Sequence, residues 1–343
     1  MNIKSMRNKY VKWLLLVLLF LGGTILIVTI SLISGDLKVS ISDLPRLLFN
    51  DGDDVAYTIV KAVRLPRIIL GLAVGGSLSL SGVILQGIYR NPLVEPYTLG
   101  ISGGASVGVA LAIVFGIPGI LGNYMLPISG FAGALAAVFL VYSLSLKGGR
   151  VKIQTMLLVG VMISFIASSA MMLLLSLSSA EHIHSIIFWI MGSLDEPNNK
   201  LIITIVLIAL ASLLVSYLFV QPLNALRLGE ERARHLGINT DISIKILFII
   251  TSLLTGVCVS MAGVIGFVGL IIPHLIRLLT GSDYRILLIS SFIAGGGFLV
   301  LCDTLARTII SPNELPIGVI TGIIGGSIFV VVLNRSNRKV LVE

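Results

Sequence analysis

Ten apolar stretches, separated by short polar joints, decide what this chain can become. They fall at roughly 13–34, 66–88, 93–115, 125–146, 153–178, 201–220, 243–264, 266–280, 286–306 and 317–334. About 20 helical residues cross the hydrocarbon of a bilayer, so most of these runs match one crossing each. Charged residues are 12% of the chain, against about 25% in soluble domains, so lipid must solvate most of its surface. The expected fold is all-α: a polytopic membrane protein of about ten transmembrane helices, with residues 1–343 forming a single membrane domain. The first run follows Lys4, Arg7, Lys9 and Lys12 and is too long for the apolar core of a cleaved leader, so it reads as a retained span. The seventh and eighth runs nearly merge and are divided at Ala262-Gly-Val-Ile-Gly266, a glycine turn. The eighth is short and contains Pro273, which predicts a bent or incomplete span.

Basic residues orient the bundle. With the N-terminus inside, the outer segments hold Lys38, Arg46, Lys61, Arg64, Arg67, Lys200 and Arg307, which leaves 17 of the 24 lysines and arginines inside. Both termini are therefore expected in the cytoplasm. The same bias accounts for the net charge of +8 without invoking nucleic acid.

Polar groups inside apolar spans are costly and mark structure or function. Gln86 lies near the inner end of the second span, and Ser164 and Ser168 share one face of the fifth; these are the pathway candidates. The serines fit pathway lining and bonding to their own helix carbonyls equally well. Asp303 and Arg307 stand four apart near the outer end of the ninth span, a spacing that permits an intrahelical pair. Gly71 with Gly75, Gly104 with Gly108, and Gly318 with Gly322 and Gly326 have the small-residue spacing of tightly packed membrane helices. Cys258 and Cys302, both in apolar runs, read as small buried hydrophobes.

Two segments carry more than a helix needs. Arg64-Leu-Pro-Arg67 guards one end of the second span, and Arg90-Asn-Pro-Leu-Val-Glu-Pro96 makes a tight turn at the other. The inner segment 221–242 places Glu230, Glu231, Arg232 and Arg234 between Gly229 and Gly237, with the second glycine positioned as a helix C-cap. Two glycines bracketing an amphipathic stretch predict one or two short surface helices that dock a partner.

At these residues the chain resembles the FecCD-type permease subunits of ATP-binding-cassette importers for iron-siderophores, haem and cobalamin. The resemblance is carried by Arg64-Leu-Pro-Arg67, Asn91-Pro-Leu-Val-Glu-Pro96 with Leu99-Gly-Ile-Ser-Gly-Gly104, and Leu228-Gly-Glu-Glu-Arg-Ala-Arg-His-Leu-Gly237. Ala262 to Arg277 and Glu314-Leu-Pro-Ile-Gly318 extend it, in family order, over nearly the whole chain. It implies a bacterial inner-membrane protein paired with a second permease subunit as homo- or heterodimer, two cytoplasmic ATPase subunits and an extracytoplasmic solute-binding protein. No Gly-x-x-x-x-Gly-Lys-[Ser/Thr] loop occurs here, so this chain is not an enzyme and binds no cofactor directly; ATP-Mg belongs to the partner ATPase. Carried over, Arg64, Arg67 and Arg307 dock the binding protein, and Arg227, Gly229, Glu230, Glu231, Arg234 and Gly237 couple to the ATPase. Asn91 and Leu93 match the inner gate, whereas residues 152–155 lack the small hydroxyl residues of the family's other gate loop. The implied cargo is an iron-siderophore complex, with haem or cobalamin as the alternative.

Two rival readings rest on other residues. Gly100-Ile-Ser102-Gly103 satisfies a four-residue motif of intramembrane serine proteases, with His274 as a candidate base. An importer of zinc or manganese would need more than the scattered His182, His184, His235 and His274, so no metal site is expected.

Overall fold

The structure, a computed structural model, describes residues 3–35, 37–49, 54–116, 122–147, 150–196 and 198–340. Helix α1 (Ile3–Ile33) is followed by the short α2 (Leu44–Phe49) and α3 (Val55–Thr58). From α3 a π-helical turn, Ile59–Arg64, leads without a break into α4 (Leu65–Tyr89), so that Val55–Tyr89 is one continuous 35-residue rod. Then come α5 (Ile101–Val114), α6 (Met125–Leu144), α7 (Ile153–Leu177), α8 (Ala180–Met191) and α9 (Asn199–Leu218). Two short helices, α10 (Val220–Leu226) and α11 (Glu230–His235), precede α12 (Thr240–Ala262), α13 (Val268–Thr280), α14 (Tyr284–Thr308) and α15 (Ile317–Val340). Among the described residues the only strands are a two-residue ribbon pairing Leu146 with Val151.

The all-α expectation holds, and each of the ten predicted runs falls on a helix. Seven of those helices are long and apolar enough to cross a membrane. The other three, α5, α13 and the apolar part of α15 (Ile317–Val332), are shorter. The predicted span 93–115 is corrected most. Helix begins only at Ile101, because Pro92 and Pro96 interrupt the chain and Gly100 turns it at φ 77°. The 14 residues of α5 rise only about 21 Å. Helix α13 is short, as Pro273 predicted, and the joint before it occupies residues 263–267, with Gly263 at φ 71°. Helix α8 was not anticipated; at 12 residues it is too brief to stand out by hydropathy.

α4 is the axis of the bundle. Its apolar window is 89% buried, against 11% for α1 and α7, whose apolar sides face outward. Leu70, Leu78, Leu80, Val83, Ile84 and Leu85 of α4 are essentially inaccessible. Contact with α14 is close enough to demand glycine: a Cβ on Gly75 would lie 2.3 Å from the Gly295 carbonyl oxygen. α5 and α6 meet the same way, Gly104 against the Gly133 carbonyl. Gly71 and Gly108 also serve packing, but Gly322 faces open space. Cys258 and Cys302 are buried, as expected.

Candidate functional site

Along α4, Arg67 and Tyr89 are 22 residues apart, about 33 Å of helix, so its two ends define two separate sites. At the end predicted to face outward, α4, α14 and α1 meet around one carboxylate. Asp303 of α14, 1% exposed, accepts a hydrogen bond from Arg67 Nε at 2.8 Å and another from Arg307 Nε at 3.1 Å. Arg67 also pairs with Glu314 at 2.8 Å, and Arg307 donates to Ser31 Oγ of α1 at 2.9 Å. Arg64 is turned inward as well, donating to the carbonyls of Leu32 and Leu37. The expected Asp303–Arg307 pair is present. Arg64 and Arg67 are buried and Arg307 is partly buried, each donating to acceptors within the chain. Only the Arg67–Glu314 contact opens outward, Glu314 being half exposed.

The opposite end holds the turn after α4. Arg90 closes that helix in the left-handed region at φ 51°, and Asn91 follows with an Asx turn, its Oδ1 accepting from Leu93 N at 2.9 Å. Leu93 is thereby held out from the bundle, 51% exposed. Glu95 turns inward and accepts the Phe267 N–H at 2.6 Å, at the start of α13. Tyr97 supports the same joint through a hydrogen bond from Ile265 N to its hydroxyl. Neither role was read from the sequence, although Pro on both sides of an apolar-run carboxylate is a signal that it has a backbone to satisfy. Gln86 lies at the α4–α13 contact, where it donates to the Gly269 and Leu270 carbonyls and accepts from Arg277. Ser164 and Ser168 bond the carbonyls one turn back, Gly160 and Ser164, so their hydroxyl donors are spent within α7.

Helix α11 projects from this same end. Gly229 enters it at φ 109°, and Gly237 leaves at φ 82°. Gly237 N donates to the Arg234 carbonyl and Ile238 N to the Ala233 carbonyl, a paired C-terminal cap that requires the left-handed residue. Ala233 is wholly buried and anchors the helix, while Arg234 ties Glu230, Thr240 and Asp241 together at 2.7–3.0 Å. Leu228 and Leu236 remain 54% and 62% exposed, with Glu231 and Arg232 solvent-facing between them. Arg227 donates to the Ser282 carbonyl beside Asp283, the N-cap of α14. Burial would raise the Asp283 carboxyl, but hydrogen bonds from Arg285 N, Asn224 and Lys9 hold it below the usual range. Ser102 and His274 share no hydrogen bond among the described residues, and His184 packs on the Phe188 ring at 4.4 Å.

Among the described residues this is a helical, polytopic bundle with a glycine-bracketed short helix at one end. A model of the FecCD transport family matches residues 23–335, and the chain belongs to that family, as an ABC importer permease. The hemin transport system permease HmuU of Yersinia pestis is 35% identical, covering 92% of this chain and 96% of that protein. The cobalamin import system permease BtuC of Halobacterium salinarum is 39% identical over 84% of this chain and 76% of its own length. An uncharacterized ABC transporter permease, YvrB of Bacillus subtilis, is 36% identical over 98% and 97%. Among solved structures, an inward-facing transporter of metal-chelate type superposes with a TM-score of 0.82 at 30% identity, covering 94% of this chain and 99% of that one.

Proposed function

We propose that this chain is the membrane subunit of an importer that carries an iron-siderophore complex from an external binding protein to the cytoplasm, driven by a partner ATPase. The reading is carried by α11: a short helix fixed at both ends by glycines, anchored by Ala233, and offering Leu228, Glu231, Arg232 and Leu236 to a partner. In this reading the ATPase seats on α11, with Arg227, Gly229, Glu230, Glu231, Arg234 and Gly237 forming or shaping the contact, and nucleotide-driven closure reaches the bundle through it. A second permease subunit completes the pathway between two chains, with Asn91 and Leu93 at its inner constriction. At the outer end, a carboxylate of the binding protein displaces Glu314 from Arg67, and Arg64 and Arg307 hold that arginine's surroundings in place. The assembly lies in a bacterial inner membrane.

Haem or cobalamin is the second reading, favoured by the named activities of the permeases from Yersinia pestis and Halobacterium salinarum. The test is uptake by iron-starved cells with and without this gene, using labelled ferric hydroxamate, catecholate and carboxylate siderophores, haem and cobalamin. Loss of uptake of one siderophore class on deletion is expected; loss confined to haem or cobalamin moves the cargo to the second reading.

A further inference from the structure

Beside α11 the bundle contains a cavity of about 200 Å³ in which three arginines converge. Arg90 reaches it from the cap of α4, Arg227 from the end of α10 and Arg277 from the last turn of α13; Gln86, Ser282 and Tyr284 complete the walls. Among the described residues no acidic one lines it. The carboxylates near it in sequence are engaged elsewhere: Asp283 accepts from Lys9, Asn224 and Arg285 N, Glu230 pairs with Arg234, and Glu95 accepts from Phe267 N. Among the described residues none of the three arginines has a carboxylate within salt-bridge distance. Arg277 uses one nitrogen on Gln86 Oε1 and Arg227 one on the Ser282 carbonyl, and Arg90 has no hydrogen-bond partner. Each therefore keeps N–H donors unspent beside the same space.

Like charges brought together raise the energy of the fold unless a counter-charge joins them. The volume is several times the roughly 30 Å³ that a water molecule occupies in the liquid. Guanidinium forks match tetrahedral oxyanions, donating two parallel hydrogen bonds to phosphate oxygens. A carbonyl, an amide and a phenol at the walls add no negative charge to oppose such a guest. We propose that this cavity is an anion site that takes a phosphate group, either free or as the headgroup of an anionic phospholipid. It adjoins α11, since Arg90 Nη1 lies 3.4 Å from where a Cβ on Gly229 would stand. Occupancy therefore neutralises charge directly behind the helix that projects from this end.

The full chain is purified into nanodiscs of phosphatidylcholine and titrated with inorganic phosphate by calorimetry and thermal unfolding. Saturable binding with a raised melting temperature is expected, weakened at least tenfold in Arg90→Gln and in Arg277→Gln and unchanged in Lys245→Gln, a basic residue outside the cavity. If Arg277→Gln fails to fold because Gln86 loses its partner, Arg90→Gln carries the test, since its side chain supports no other group. If phosphate is without effect, but phosphatidylglycerol in the disc raises the melting temperature of wild type and not of Arg90→Gln, the lipid headgroup is the occupant. No response of wild type to either, or equal responses in Arg90→Gln, overturns the proposal.

Discussion

Asp303 is the residue on which the outer end depends. One carboxylate, almost fully buried, satisfies two buried guanidinium groups on different turns and different helices. Removing one partner of a buried ion pair leaves an uncompensated charge and costs about 3–5 kcal/mol. Asp303→Asn is therefore expected to lower stability by about that amount, read as a fall in melting temperature in detergent, whereas Glu314→Gln, losing a half-exposed pair, should cost less than about 1 kcal/mol. Asp283 carries a pH signature. Its folded carboxyl titrates below its ordinary 3.8, so the stability it contributes is fully present above that value and is lost as pH falls through the lower folded value. Thermal unfolding between neutral and strongly acid pH should show a flatter acid limb in Asp283→Asn than in wild type.

At the scale of elements, α4 with α14 and α11 with its caps make different demands on glycine. Gly75 has no room: a Cβ would strike the Gly295 carbonyl, so Gly75→Val should separate α4 from α14 and abolish folded protein, as seen by size-exclusion profile. Gly237 has ample room and fails for another reason. Nothing lies within 4 Å of its added Cβ, but φ 82° is disfavoured for a side chain by about 1–2 kcal/mol. Gly237→Val should leave the bundle's melting temperature nearly unchanged while fraying α11 and reducing ATPase binding in pull-down from membranes. The caps of α11 were legible in the sequence because glycine spacing is local information. The Asp303–Arg307 pair was legible from its i,i+4 spacing, but the burial of Arg64 and Arg67 was not: it depends on Leu32 and Leu37 from the first helix and loop and on Asp303 far along the chain, contacts that no local pattern records.

For the whole molecule, hydropathy located all ten apolar elements, because the requirement for lipid-compatible runs is written directly in composition. It overstated their lengths where Pro92, Pro96 and Gly100 shorten α5, and it missed α8, whose 12 residues are well short of the about 20 a crossing takes. Side-chain direction was the least legible quantity. The polarity of Gln86 and the α7 serines was evident in the sequence, but the backbone carbonyls their side chains bond were not. What separates an importer subunit from any other bundle of helices is the claim that α11 transmits force from an ATPase. The decisive measurement is uptake of labelled cargo into liposomes containing this chain, its permease partner and the ATPase, with binding protein outside and ATP inside. The account predicts ATP-dependent accumulation that is abolished in the double variant Leu228→Glu, Leu236→Glu, although that variant retains the wild-type melting temperature. Undiminished ATP-dependent uptake by the double variant would contradict the role assigned to α11.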